Sequence, residues 1–170
     1  ELRRRIGIEV EVLEPDARGS IAPGAVSEAL ARVRPRLLVF THASNVTGAI
    51  LPAAELCALA RAHAAHSLVD ASQTAGLLPL ALDADLVVAS CHKSLHAPPG
   101  LGFIAARAGL EVSPQKQGGT GSSIALEEHP LEWPVAFEAG TPNTPAILGL
   151  AAALRWIERE TAQGLLARAA

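Results

Sequence analysis

The 170-residue sequence contains no methionine and no tyrosine, and only two of its 14 basic residues, Lys93 and Lys116, are lysines. Aromatic residues make up 3%, too few for the stacking platforms on which single-stranded nucleic acid lies. The net charge of −3 lacks the basic excess of a nucleic-acid footprint. No apolar run approaches the ~18 residues that cross a bilayer, which argues against a membrane protein. The charged start ELRRRIGIEVEV has no apolar core behind it, so it does not read as a signal peptide. Two cysteines, Cys57 and Cys91, are too few for a disulfide framework and point to a reducing, cytoplasmic compartment. A first residue other than methionine fits either processing or a piece of a longer chain.

What is present is apolar material: 49% hydrophobic residues against 18% charged, and a mean hydropathy of +0.28. That is enough for one core and excludes a disordered chain. Ile6 to Leu13 alternates apolar and polar residues and predicts a strand. Pro23 to Val33 predicts a helix with proline near its start. Leu37 to Phe40 and Asp85 to Ala89 are apolar throughout, as in strands buried on both faces. Pro52 to His66 has helical periodicity, Leu68-Val69 ends in Asp70, and Leu101 to Ala106 is strand-like. Thr144-Pro145 opens a last helix through Ile157, with threonine expected as the N-cap. Strands alternating with helices predict an α/β fold with a mostly parallel sheet and flanking helices. In such sheets ligands bind beyond the carboxyl ends of the strands. Asn45, Asp70 and the run Ser90-Cys91-His92-Lys93 all fall there.

Several chemistries lack their letters. No G-x-G-x-x-G joins a strand to a helix, and no nucleophile elbow or H-E-x-x-H occurs. Gly118-Gly119-Thr120-Gly121-Ser122-Ser123 lacks the Lys-Ser/Thr ending of a nucleotide loop and reads as a surface loop. Cys91, His92 and His96, even with Asp70 or His42, fit no recognised metal spacing, so no metal site is expected. Adjacent side chains on an extended segment point apart, so Cys91 beside His92 reads as a small buried thiol and not a nucleophile.

One constellation coheres. An aldehyde cofactor carried on a lysine needs an amine, which Lys93 supplies; arginine cannot replace it. It needs a carboxylate to keep a pyridine nitrogen protonated, as Asp70 can. It needs hydrogen bonds to a ring hydroxyl, for which Gln73 and Asn45 are suited. It also needs phosphate donors, which Ser90, His92 and threonines can provide. Asp70 capping a turn and Lys93 in solvent would leave the same letters, and at this point both readings stand.

Four segments carry a resemblance. THASNVTGAILP (41–52), LVDASQTAG (68–76), SCHKSLHAPPGLG (90–102) and FEAGTPNTPAILGL (137–150) resemble, in the same order, four motifs of the class V aminotransferases. The branch they resemble is that of cysteine desulfurases and selenocysteine lyases. The resemblance implies the aspartate aminotransferase-like fold, the fold type I of pyridoxal 5'-phosphate-dependent transferases, and a homodimer. Residues 1–170 would be the central part of the cofactor-binding large domain. An amino-terminal segment and a carboxyl-terminal small domain would lie outside it. The chain by itself is therefore expected to be inactive.

By the same resemblance Lys93 would hold the cofactor as a Schiff base and act as the general base. His92 and Ser90 would contact ring and phosphate. Asp70 would pair with the pyridine nitrogen, and Gln73 and Asn45 would touch the ring oxygen. Thr141 would reach the phosphate held by the neighbouring subunit. After its apolar strand, Lys93 is expected to be buried. The resemblance also raises GGTGSS from a plain loop to a segment near the active-site mouth. The function implied is sulfur or selenium removal from a small amino acid, with a sulfur-acceptor protein as partner. An ordinary class V aminotransferase or another pyridoxal-phosphate lyase is the alternative within the class. A cofactor-free α/β binding domain is the alternative outside it.

Overall fold

Three short strands build the parallel part of one sheet. In the computed structural model, which describes residues 2–80, 82–119, 128–160, 164 and 167, the sheet has four strands in the order β1-β2-β3-β4. β1 (Leu37–Thr41), β2 (His66–Asp70) and β3 (Leu86–Ser90) are parallel, and β4 (Gly102–Ala106) runs antiparallel to β3. Thr41 pairs with Asp70 and Asp70 with Val88. The carboxyl ends of the three parallel strands therefore stand nearly level.

Helices α1 (Leu2–Ile6), α2 (Pro23–Val33), α3 (Ala53–Ala62) and α4 (Thr144–Ile157), with a 3-10 turn at Val135–Phe137, complete the described elements. Val26 and Leu30 of α2 meet Leu56 and Ala60 of α3, and Phe40 of β1 packs against them. Cys57 of α3 packs with Val69 of β2. A separate cluster joins Ala89, Cys91, Leu95 and Ala97 to Leu150 and Ile157 of α4. Glycine at 149 allows that approach: a Cβ there would lie 2.5 Å from the Pro98 ring. Burying these side chains is the main drive for the fold.

Four sequence expectations are corrected. Ile6 to Leu13 is not a strand: Ile6 ends α1, and 7–13 lies in no ladder. Its alternating Ile8, Val10 and Val12 stay exposed, because an extended segment becomes a strand only when a neighbour takes its hydrogen bonds. β1 is not buried on both faces: Leu38 and Phe40 pack against the α2–α3 core, while Val39, on the other face, is 59% exposed. α3 stops at Ala62, short of His66. Ala64 adopts a left-handed conformation (φ 55°), its amide donates to Arg61 O at 3.0 Å, and the Ala65 amide donates to Ala60 O at 2.8 Å. This is a Schellman-type end without the glycine that usually marks one. At α4 the N-cap is Asn143, whose Oδ1 accepts from the Ala146 amide at 3.2 Å, and Thr144 is the first helical residue.

At the amino-terminal edge of the sheet, Asp85 is 7% exposed. Its Oδ2 accepts from the Ser67 amide at 2.9 Å and the Ser67 hydroxyl at 3.2 Å. Arg107 stands 3.4 Å and His66 3.5 Å from its other oxygen. Burial pushes the Asp85 carboxyl up, but these donors and the Arg107 charge outweigh burial and hold it below the ordinary carboxylate value. The cluster locks the start of β3 to β2, at the end of the sheet away from the loops that follow Thr41, Asp70 and Ser90.

Candidate active site

The residues singled out from the sequence lie on the turns that leave β1, β2 and β3. After β1, the chain folds back between Ala43 and Ile50. Ser44 Oγ accepts from the amides of Val46 and Thr47, both at 3.2 Å, and the Gly48 amide donates to Ser44 O at 3.0 Å. Gly48 supports this tight turn with φ 71°. Asn45 sits on it, exposed, with its amide free of hydrogen bonds to the described residues.

After β2, the Ser72 amide donates to Asp70 Oδ1 at 2.9 Å. This bond orients the carboxylate and leaves its second oxygen without a partner among the described residues. Gln73 is half-buried on the same turn, and its side-chain amide makes no bond there. Thr74 Oγ1 lies 2.9 Å from His42 Nδ1, and both residues are buried. Burial pushes the His42 imidazole below its ordinary value, so it stays neutral near pH 7.

After β3, the Ser90 amide donates to Ser72 Oγ at 3.0 Å. The turn that follows is closed by the Cys91 amide on Leu101 O at 2.9 Å, the Ala97 amide on Cys91 O at 2.9 Å and the His96 amide on Lys93 O at 3.0 Å. His92 and Lys93 are exposed on this turn. Lys93 makes no ion pair or hydrogen bond through its amine among the described residues. The expected burial of Lys93 is thus not observed: the apolar strand ends at Ser90, and the turn carries the lysine out of the core. Inside the same turn Cys91 is wholly buried in the α4 cluster.

Burial raises both thiols, Cys91 and Cys57; for Cys57 a Ser67 hydrogen bond opposes it without reversing it. Neither cysteine is a ready nucleophile. Among the described residues no three His, Cys, Asp or Glu side chains gather as metal ligands do.

Thr141 lies exposed on the loop before α4. That loop approaches the lysine segment at Asn143, whose side-chain amide is 3.5 Å from Gly100 O. The Gly140 amide donates to Gly119 O at 2.8 Å, which brings the glycine-rich segment to the same loop. Thr120 to Ser123 of that segment lie outside the described residues.

Asp70, Gln73 and Ser90 are therefore joined through Ser72, and the Asn45 turn is joined to them through His42 and Thr74. Ser72 and Thr74 were not singled out from the sequence, and His42 was weighed there only as a metal ligand. Their signal is faint: two hydroxyls at alternate positions in the turn after Asp70. This edge fits pyridoxal phosphate by its donor set. Among the described residues it offers an amine without a partner, a carboxylate with one oxygen held and one open, and two carboxamides without side-chain bonds.

Comparison with known proteins decides the lineage. The family model for class-V aminotransferases matches residues 1–168. The chain belongs to that family. Class-V aminotransferases depend on pyridoxal phosphate, and that is the cofactor of the family. The chain is 38% identical to a cysteine desulfurase of Escherichia coli O157:H7 over 169 residues, 95% of this chain and 40% of that protein. It therefore spans about 40% of the length of the curated relatives it matches. Among solved structures it resembles the apo cysteine desulfurase of Thermococcus onnurineus NA1, with a TM-score of 0.82 and 33% identity. That match covers 96% of this chain and 42% of the other. It also resembles SspA in complex with cysteine, with a TM-score of 0.75 and 27% identity over 92% of this chain and 42% of that one. The fold is thus the fold type I of pyridoxal-phosphate enzymes, and the sheet seen here is part of it.

Proposed function

We propose that the protein carrying this chain is a pyridoxal-phosphate-dependent cysteine desulfurase that removes sulfur, or selenium, from a small amino acid. The observation that carries this reading is that the turn after β3, which bears an exposed Lys93 whose amine has no partner among the described residues, is tied through Ser90 and Ser72 to the turn after β2, where Asp70 has one carboxylate oxygen held by the Ser72 amide. The names of the relatives and the cysteine found with SspA support cysteine as substrate.

The bound cofactor would supply an aldehyde for attachment and a protonated ring that draws electrons from the substrate. Lys93 would bind it and then take the proton from the substrate α-carbon as a general base. The open oxygen of Asp70 would accept from the ring nitrogen and keep its proton there. Gln73 and Asn45 would donate to the ring oxygen. Ser90 and His92 would contact the ring and the phosphate. The exposed Thr141 would donate to the phosphate in a partner subunit. The exposed apolar side chains of α4, Ile147, Leu148 and Leu154, support a homodimer. Two buried, free thiols support a reducing, cytoplasmic setting. A separate protein would accept the sulfur.

These 170 residues by themselves would turn over no cysteine, because they span about 40% of the length of the relatives. The test is sulfide release from cysteine, with a dithiol such as dithiothreitol present to reduce the released sulfur to sulfide, by the protein expressed from its complete reading frame. Sulfide and alanine in equal amounts support the reading. Conversion of the cofactor to its amine form, with keto acid released and no sulfide, would replace it with an aminotransferase.

A further inference from the structure

The amides assigned to the ring oxygen, Asn45 and Gln73, stand on two different turns. The β1–β2 ladder fixes the turns only at their bases: its last bond is the His42 amide on Asp70 O at 2.8 Å. Beyond it the two backbones separate. The Leu51 amide takes His42 O at 2.9 Å and folds the first turn back on itself. The second continues through Ala71 to Ala75, with the Ala75 amide on Ala71 O at 2.8 Å. Past that point, among the described residues, the side-chain link between the turns is Thr74 Oγ1 to His42 Nδ1 at 2.9 Å.

We propose that His42 and Thr74 are a positioning pair that sets the distance between Asn45 and Gln73 across the cofactor ring oxygen. The inference rests on the pyridoxal-phosphate reading above. Thr74 is the next residue after Gln73, and His42 is three residues before Asn45 on a turn already braced by Ser44. A change in the His42–Thr74 distance therefore passes to both carboxamides. The pair is shielded: His42 is 6% and Thr74 2% exposed. Water does not compete for the bond, and the low dielectric strengthens it. Thr74 Oγ1 is also 3.3 Å from Ala71 O. A hydroxyl proton turned to that carbonyl leaves the oxygen to accept from His42 Nδ1–H. One hydroxyl thus braces its own turn and holds the neighbouring one. Burial favours the neutral imidazole in this role.

The test uses the protein expressed from its complete reading frame, with Thr74→Val, Thr74→Ser, His42→Leu, His42→Asn and the double variant His42→Leu/Thr74→Val. Three quantities are read: amide exchange in 43–49 and 71–76 without cofactor, the dissociation constant for pyridoxal phosphate, and the absorbance maximum of the bound cofactor. Thr74→Val should speed exchange in both turns, weaken cofactor binding about 3- to 10-fold, as for one lost neutral hydrogen bond, and shift the absorbance maximum. Thr74→Ser and His42→Asn, which keep a polar atom at the contact, should restore all three. The double variant should be no worse than the poorer single, because both remove the same link.

If Thr74→Val lowers thermal stability but leaves cofactor affinity and absorbance at wild-type values, the pair is structural only and the proposal is overturned. Unchanged exchange in the 43–49 turn would overturn it as well. A wild-type protein that binds no pyridoxal phosphate, while Thr74→Val still loosens both turns, would instead overturn the cofactor reading and the positioning role built on it.

Discussion

The hydroxyl of Ser72 accepts the backbone amide of Ser90 at 3.0 Å, and this bond ties the turn that carries Asp70 to the strand end that leads into Lys93. The Ser90 amide lies where the β2–β3 ladder has ended, so no backbone carbonyl of β2 takes its hydrogen. Ser72 is buried. Its loss would leave that donor unmet at a cost of about 1–3 kcal/mol.

Ser72→Ala is therefore expected to lower unfolding free energy by about that amount, and Ser72→Thr to recover most of it. Urea unfolding of the three proteins checks this. Equal stability of the alanine variant would show that the bond contributes nothing.

Much of this edge was legible in the letters, and for a physical reason. Lysine and aspartate at the ends of apolar strands are rarely placed by packing, so Lys93 and Asp70 stood out against an apolar, arginine-rich chain. The neighbours that hold them did not. Ser72 and Thr74 look like ordinary turn residues until one knows which strands adjoin β2, and that order is set by the fold and not by spacing. Helix and strand limits failed where the deciding feature was non-local or atypical. Ile6 to Leu13 has the strand alternation but no pairing neighbour among the described residues. α3 ends on a left-handed alanine where a reader looks for glycine.

Acid should reveal the role of Asp85. Its folded pKa is depressed below the unfolded value of about 3.9. Its contribution is therefore full above about pH 4 and is lost as pH falls through the folded value. Asp85→Asn should cost about 1.5–3 kcal/mol at pH 7, where charged hydrogen bonds are lost. The gap to wild type should narrow below about pH 4. Urea midpoints measured from neutral to strongly acidic pH test this, and a gap constant across that range would refute it.

Asp70→Asn keeps the shape of the side chain and the bond from the Ser72 amide but cannot hold a proton on the ring nitrogen. Cofactor should stay attached to the variant, while turnover falls on the order of 10²–10³-fold, as when one preorganised charge is removed from a reaction centre. Paired absorbance and sulfide assays would show it. Wild-type turnover in Asp70→Asn would remove the carboxylate from the mechanism.

Lys93, alone of the two lysines, is expected to carry the cofactor. Borohydride reduction of the cofactor-loaded protein, followed by peptide mass mapping, reads this directly. One pyridoxyl group per chain is expected, on Lys93, and none after Lys93→Ala. A pyridoxyl group on Lys116, or an unmodified 90–102 peptide from protein shown to hold the cofactor, would contradict it.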